Sequence, residues 1–164
     1  MIILREHELT DEEYSTVYNR AAEICEGAGV PLAPHSRLFI KSDRIHVKMG
    51  TLRNEQEKLK KYRFIGTSVH SPEEAAEAQA LGASYIIAGH IFPTDCKKGL
   101  PPRGIDYLKA VCDAVHIPVF GIGGIAPENY PEVRRAGAAG ACVMSGLMAH
   151  DDPAAYISAF DKSI

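Results

Sequence analysis

The stretch that decides the fold is Tyr85–Gly104, YIIAGHIFPTDCKKGLPPRG, where an apolar run ends at Gly89 and opens into a glycine- and proline-rich loop. A short run with no polar alternation reads as a strand buried on both faces, as parallel strands beneath helices are. The loop carries His90, Thr94, Cys96, Lys97 and Lys98. In an α/β barrel the chemistry stands at the carboxyl ends of the strands, so a site is expected here. Two later segments, Val119–Ile125 (VFGIGGI) and Ala141–Gly146 (ACVMSG), repeat the form of an apolar run ending in a glycine-bearing turn. Late glycine turns of this kind suit a phosphate group, so a phosphorylated small molecule is the expected substrate class.

Outward from that core, strand and helix alternate. Arg63–Thr67 reads as a strand, and Ser71-Pro72-Glu73-Glu74 opens a helix with a capping serine, a proline at the first position and acids in the first turn. That helix stops at Gly82, and Tyr85–Ala88 is the next strand. Ile105–Val115 is a helix with Leu108, Val111, Cys112 and Val115 on one face. Pro118–Gly121 is a strand, Pro127–Ala136 a helix ended by Gly137, Ala141–Met144 a strand, and Asp152–Phe160 a helix.

The first third is less regular. Ile2–Arg5 is a strand, Thr10 caps a helix to about Glu26, and Pro31–Pro34 and Ile45–Met49 are strands. Only His35–Arg44 lies between the last two, too short for a crossover helix, and a helix follows over Asn54–Lys61. The expected fold class is therefore α/β, a TIM-barrel-like parallel βα barrel of seven strands lacking its first βα unit, in a single domain over residues 1–164. A barrel short of one unit leaves two strand edges unpaired, so a homo-oligomer covering them is expected.

Composition narrows the function classes. The 164 residues are 46% hydrophobic and 24% charged with net charge −3, which gives no reason to expect nucleic acid or a membrane surface as partner. Cys25, Cys96, Cys112 and Cys142 show no paired spacing, and Cys25, Cys112 and Cys142 sit in apolar periodic segments as small buried hydrophobes. No leader or membrane-length apolar run is visible, so a cytoplasmic location is expected.

GTSVHSPEEA (Gly66–Ala75), then GHIFPTDCKKG (Gly89–Gly99), IPVFGIGGI (Ile117–Ile125) and GACVMSG (Gly140–Gly146) together resemble the thiamine phosphate synthase/TenI superfamily, most closely its TenI-type thiazole tautomerases. The likeness is strong over about 63–153 and weaker over 1–49, where Leu4-Arg5-Glu6 and Ile45-His46-Val47 carry it. The synthase branch carries a glutamine, arginine and lysine where this chain has Ile3, Arg5 and His7. It also carries acids that hold magnesium. Here those places resemble His35-Ser36 and the acid-free loop Gly50–Asn54, while Asp43 precedes its strand.

The resemblance implies a tautomerase of thiamine biosynthesis, an isomerase that aromatises a thiazole-carboxylate phosphate by proton transfer. His90 would be catalytic, because a near-neutral imidazole both takes and gives protons at neutral pH. Arg5, Ser68, Thr94, Cys96 and Lys97 would bind substrate, and Gly123, Gly124, Ser145 and Gly146 the phosphate, with helix N-termini adding favourable dipole. No metal is expected, since His7, His35 and His46 show no ligand spacing, and no cofactor. The alternatives are a thiamine phosphate synthase joining a pyrimidine diphosphate to thiazole phosphate with magnesium, and a non-catalytic phosphate-ligand-binding regulator.

Overall fold

The computed structural model describes residues 1–162, and the chain divides into two compact units, Met1–Thr67 and Ser68–Ile164. The first unit contains β1 (Ile2–Leu4), α1 (Asp11–Gly27), β2 (Leu32–Pro34), β3 (Arg44–Lys48), α2 (Met49–Asn54) and α3 (Gln56–Leu59). Strand β4 (Phe64–Val69) runs across the division. The second unit continues with α4 (Pro72–Ala80), β5 (Tyr85–Gly89), α5 (Gly104–Asp113), β6 (Val119–Ile122), α6 (Tyr130–Arg135), β7 (Gly140–Cys142), α7 (Ser145–Met148) and α8 (Pro153–Asp161). Hydrogen bonding orders the seven strands as a two-stranded sheet, β1-β2, and a five-stranded sheet, β3-β4-β5-β6-β7.

In the first unit, α1 starts where a capping box fixes it. The Thr10 hydroxyl accepts from Glu13 N, and the Glu13 carboxylate accepts from Thr10 N at 2.9 Å. The helix lays Tyr14, Tyr18 and Cys25 against Leu32 and Ile40, with Leu4, Leu9, Ala21 and Ala22 packed around them. Tyr14 is fully buried and still satisfied, because its hydroxyl donates to Leu4 O at 2.8 Å and accepts from His35 N at 3.3 Å. One side chain thereby ties α1 to the ends of both β1 and β2, which pair in parallel with Leu4 opposite Pro34. No helix lies between β2 and β3. The chain passes by a parallel bridge, His35 opposite His46, with Ser36 N donating to His46 O at 2.8 Å.

In the second unit, Ile86, Ala88, Leu108, Val111, Val119 and Val133 are buried, and β5, β6 and β7 run parallel. Helix α4 begins as its sequence requires, with the Ser71 hydroxyl accepting from Glu74 N at 3.1 Å and Pro72 at the first position.

Three elements differ from expectation. The helix expected over Asn54–Lys61 is the shorter α3, and the expected loop Gly50–Asn54 is instead part of helix α2, the two separated at Glu55. The helix expected from Pro127 starts only at Tyr130. Asn129 is the reason: its side chain accepts from Ala126 N and donates to Gly124 O, both at 2.9 Å, and so holds the approach as a turn. Strand β7 ends at Cys142, and Ser145 opens the four-residue α7. Of the cysteines, Cys25 is buried, while Cys112 and Cys142 are only half-buried. Burial nonetheless pushes the Cys142 thiol up to about 11, which makes it a packing group rather than a nucleophile. No helix among the described residues is long and apolar enough to cross a membrane.

Replacing Tyr14 with Phe removes both hydroxyl bonds, while His35 N still donates to Leu4 O at 3.0 Å. The expected cost is about 1–2 kcal/mol, read as a lower urea midpoint with an unchanged slope. An unchanged midpoint would show that the hydroxyl does not hold β1 and β2 together.

Candidate functional site

At the carboxyl ends of β5 and β6 two backbones meet with no side chain between them. Gly89 pairs with Ile122 in the ladder, which continues past the strands: Ile91 N donates to Ile122 O and Phe92 N to Gly123 O, both at 2.9 Å. Gly123 and Gly124 have φ of 98° and 64°. A Cβ on Gly123 would fall on His90 Cβ and lie 2.9 Å from its Cα. One on Gly124 would fall on the Pro93 carbonyl oxygen and lie 2.8 Å from Phe92 Cβ. Both the left-handed conformation and the close approach therefore require glycine. His90 and the glycine pair, far apart in sequence, are brought into contact.

β6 pairs with β7 through Ile122 and Cys142, so Gly123 and Val143 leave the sheet at one level and Ser145 and Gly146 follow at the same end, both exposed. A Cβ on Gly146 would fall on the Tyr156 hydroxyl, so this glycine also serves the packing of α8. The expected contribution of helix dipoles is not realised. The helix after Gly124 starts at Tyr130, and α7 is a single turn.

His90 is half-buried, with its Nε2 3.4 Å from Leu100 O. Its backbone is held by a residue that reading the sequence missed. Arg103 N donates to His90 O at 3.0 Å, and Arg103 Nη1 donates to His70 O at 2.9 Å. The guanidinium carbon lies 5.2 Å from the centre of the Tyr107 ring, and the Tyr107 hydroxyl donates to Val69 O at 3.0 Å. The turn before α4 is ordered by His70, whose backbone N donates to the Glu74 carboxylate at 2.8 Å. Arg103 thus clamps the foot of the His90–Pro102 loop. The available signal was its place just before Gly104, whose φ of 83° marks a backbone reversal.

The other loop residues form a separate group. The Thr94 hydroxyl accepts from Cys96 N at 3.4 Å, capping a 3-10 turn over Asp95–Lys97, and Lys98 pairs with Asp95 at 3.5 Å. Thr94 and Lys97 line an open cleft of about 370 Å³ with Pro93, Asp95, Lys98 and Leu100, and Cys96 lies exposed beside it. His90 and the glycine pair are not part of that lining. Ser68 was expected to follow its strand. It lies within β4, half-buried, because the strand runs on to Val69.

Arg5 belongs to the first unit, exposed just past β1. Its Nε donates to His7 Nε2 at 2.9 Å. The His7 ring meets His35 edge-on at 5.7 Å, and His35 stacks on His46 at 5.5 Å. Desolvation, with Arg5, His7 and Lys48 nearby, pushes His35 down to about 4, and burial pushes His46 down to about 3. Both rings are neutral at neutral pH. These positions resemble those where the synthase branch holds magnesium with acids, but here the groups are imidazoles, a serine hydroxyl and cations. Asp43 precedes β3 and is paired with Arg44 at 2.8 Å. Magnesium takes oxygen ligands, carboxylates above all, so this set does not fit it. No group of three histidine, cysteine or acidic side chains among the described residues could hold a metal.

The profile of a family described as thiamine monophosphate synthase matches residues 1–147. A thiamine-phosphate synthase of Natronomonas pharaonis is 36% identical over 162 residues, covering 93% of this chain and 76% of that protein. One of Desulfitobacterium hafniense is 33% identical over 165 residues, covering 94% and 78%. Among solved structures, a thiamine phosphate pyrophosphorylase from Pyrococcus furiosus matches with TM-score 0.86 and 26% identity, over 98% of this chain and 80% of that one. With its parallel strands, this likeness shows the expected TIM-barrel-like α/β fold class with seven strands.

Gly124→Ala forces a methyl group onto Pro93 at a positive φ, and should lower stability by more than about 1 kcal/mol. Gly50→Ala, where nothing lies within 4 Å in α2, should leave it unchanged or slightly raised. Equal urea midpoints for the two variants would contradict the close approach.

Proposed function

Because this chain belongs to the thiamine monophosphate synthase family, enzymes of thiamine biosynthesis, we propose that it acts on a thiazole phosphate as a synthase-type transferase. The observation that supports this most is that curated relatives 33–36% identical, matched over about three quarters of their length, carry the synthase name. In that reaction the thiazole ring nitrogen attacks the methylene carbon of a pyrimidine diphosphate. The carbon–oxygen bond breaks, and the diphosphate leaves with the bonding electrons. The turns at Gly123-Gly124 and Ser145-Gly146 hold the thiazole phosphate through main-chain N–H groups and the Ser145 hydroxyl. Lys97, beside Thr94 on the open cleft, offers a cation to negative charge on a substrate. Rate would come from positioning, which suits a site made of backbone donors. No step is routed through magnesium, because the donor set in the first unit does not fit it.

A second reading, tautomerisation of a thiazole-carboxylate phosphate, is favoured by two specific observations. The His90 ring has a long 3.4 Å contact to Leu100 O and stands against the glycine turn. The acids expected of a synthase are also replaced by His35 and Ser36. Condensation needs no proton shuttle, whereas tautomerisation needs one group to take a proton from one carbon and return it to another. His90 is suited to that role.

One experiment separates the two. The chain and its His90→Ala variant are each given thiazole phosphate with pyrimidine diphosphate and magnesium salt, and separately the exocyclic thiazole-carboxylate phosphate. Thiamine phosphate formed by both proteins, within about tenfold of each other, is expected for the synthase. Only tautomer conversion, falling by about 10²–10⁴ in the variant, would replace it with the second reading. Neither product from the folded chain would sink both.

A further inference from the structure

The loop that leaves β5 returns to its own starting point. Arg103 N donates to His90 O at 3.0 Å and Gly104 N to Ile91 O at 3.1 Å, so two main-chain bonds close its neck. From the neck the Arg103 side chain reaches a different strand. Its Nη1 donates to His70 O at 2.9 Å, and its guanidinium lies over Tyr107, whose hydroxyl donates to Val69 O at 3.0 Å. Arg103, just before α5, and Tyr107, in its first turn, are thereby both anchored to the end of β4 and the residue after it.

The limb that runs into this anchor is stiff. Leu100 and Pro101 each precede a proline, which keeps both extended, and the rings of Pro101 and Pro102 fix φ at those two positions. At the far end of the limb the Leu100 carbonyl oxygen lies 3.4 Å from His90 Nε2. A carbonyl oxygen only accepts, so the contact is made when Nε2 carries the hydrogen, and the neutral ring then keeps its lone pair on Nδ1. A bond this long is weak, and it holds an imidazole only if the acceptor is itself held.

We propose that Arg103 is a positioning residue for His90, acting through Pro102 and Pro101 as a strut that fixes the Leu100 carbonyl against the His90 ring. The strut keeps the imidazole in one orientation, with Nε2 engaged and Nδ1 the free base, before any substrate arrives. A proton-carrying group gains most from being held in this way by the residues behind it. A use for the free Nδ1 rests on the tautomerisation reading, whereas the holding of the ring does not. Lysine is no substitute for Arg103, because it has no planar face to lie on Tyr107 while its edge donates to His70.

The test uses the full chain with ¹³C in its histidine rings, and ring relaxation is measured without substrate. The His90 signal is assigned by its loss in His90→Gln. In the native chain this ring should be as rigid as folded backbone, with an order parameter of about 0.85. In Arg103→Lys, and in the double variant Pro101→Gly with Pro102→Gly, it should fall below about 0.6 while circular dichroism is unchanged. The double variant leaves Arg103 and its anchor in place, so it separates the strut from a general loosening of α5, and it decides alone if Arg103→Lys fails to fold. A ring already mobile in the native chain would overturn the proposal, and so would a ring that stays rigid in either folded variant. With the exocyclic thiazole-carboxylate phosphate as substrate, kcat should fall about tenfold in both variants at nearly constant KM. A mobile ring with kcat unchanged would overturn the positioning role. A native chain that does not convert this compound, with the ring behaving as expected, removes the tautomerisation reading and leaves the strut standing.

Discussion

Backbone against backbone at the ends of β5 and β6 is the contact on which the second unit depends. Gly123 and Gly124 press against His90, Phe92 and Pro93 at distances no side chain allows. The hydrogen bonds from Ile91 and Phe92 carry the strand ladder into both loops. Three consequences follow. The histidine is fixed beside the glycine turn, the loop after it is launched at a set angle, and Arg103 can reach back to close that loop at its foot. The arrangement is rigid because it is built from main chain rather than from rotatable groups.

The first unit is organised by a different constraint, the exclusion of charge from its interior. Tyr14 closes the ends of β1 and β2 with its hydroxyl, and the His35–His46 stack stays neutral because burial disfavours its protonation. The charges are pushed to the strand ends. There Arg37 finds an acid in Asp11.

Much of this was legible in the sequence. The apolar runs around Ile86, Val119 and Ala141 marked the late strands, because short apolar runs bounded by glycine and proline suit parallel strands beneath helices. The paired glycines marked the close approach, since few other demands place two glycines at a strand end. What was not legible is long-range partnership. Nothing in the spacing of His35 and His46 announces a bridge, and Asn129 delays α6 by a hydrogen bond back to Gly124 that propensity does not foresee. Arg103 escaped because a cation in a polar loop ordinarily faces solvent. The separation of Thr94 and Lys97 from His90 depends on a single 3-10 turn, below the resolution of pattern reading.

The central claim is that the turns after β6 and β7 receive the phosphate of the substrate, with His90 beside it. The most direct measurement is the backbone amide spectrum of the ¹⁵N-labelled chain as thiazole phosphate is added. The account predicts that the Gly123, Gly124 and Ser145 amides move and saturate together, with the His90 amide following them. Shifts confined to Asp95–Lys98, with the glycine amides unmoved, would contradict it.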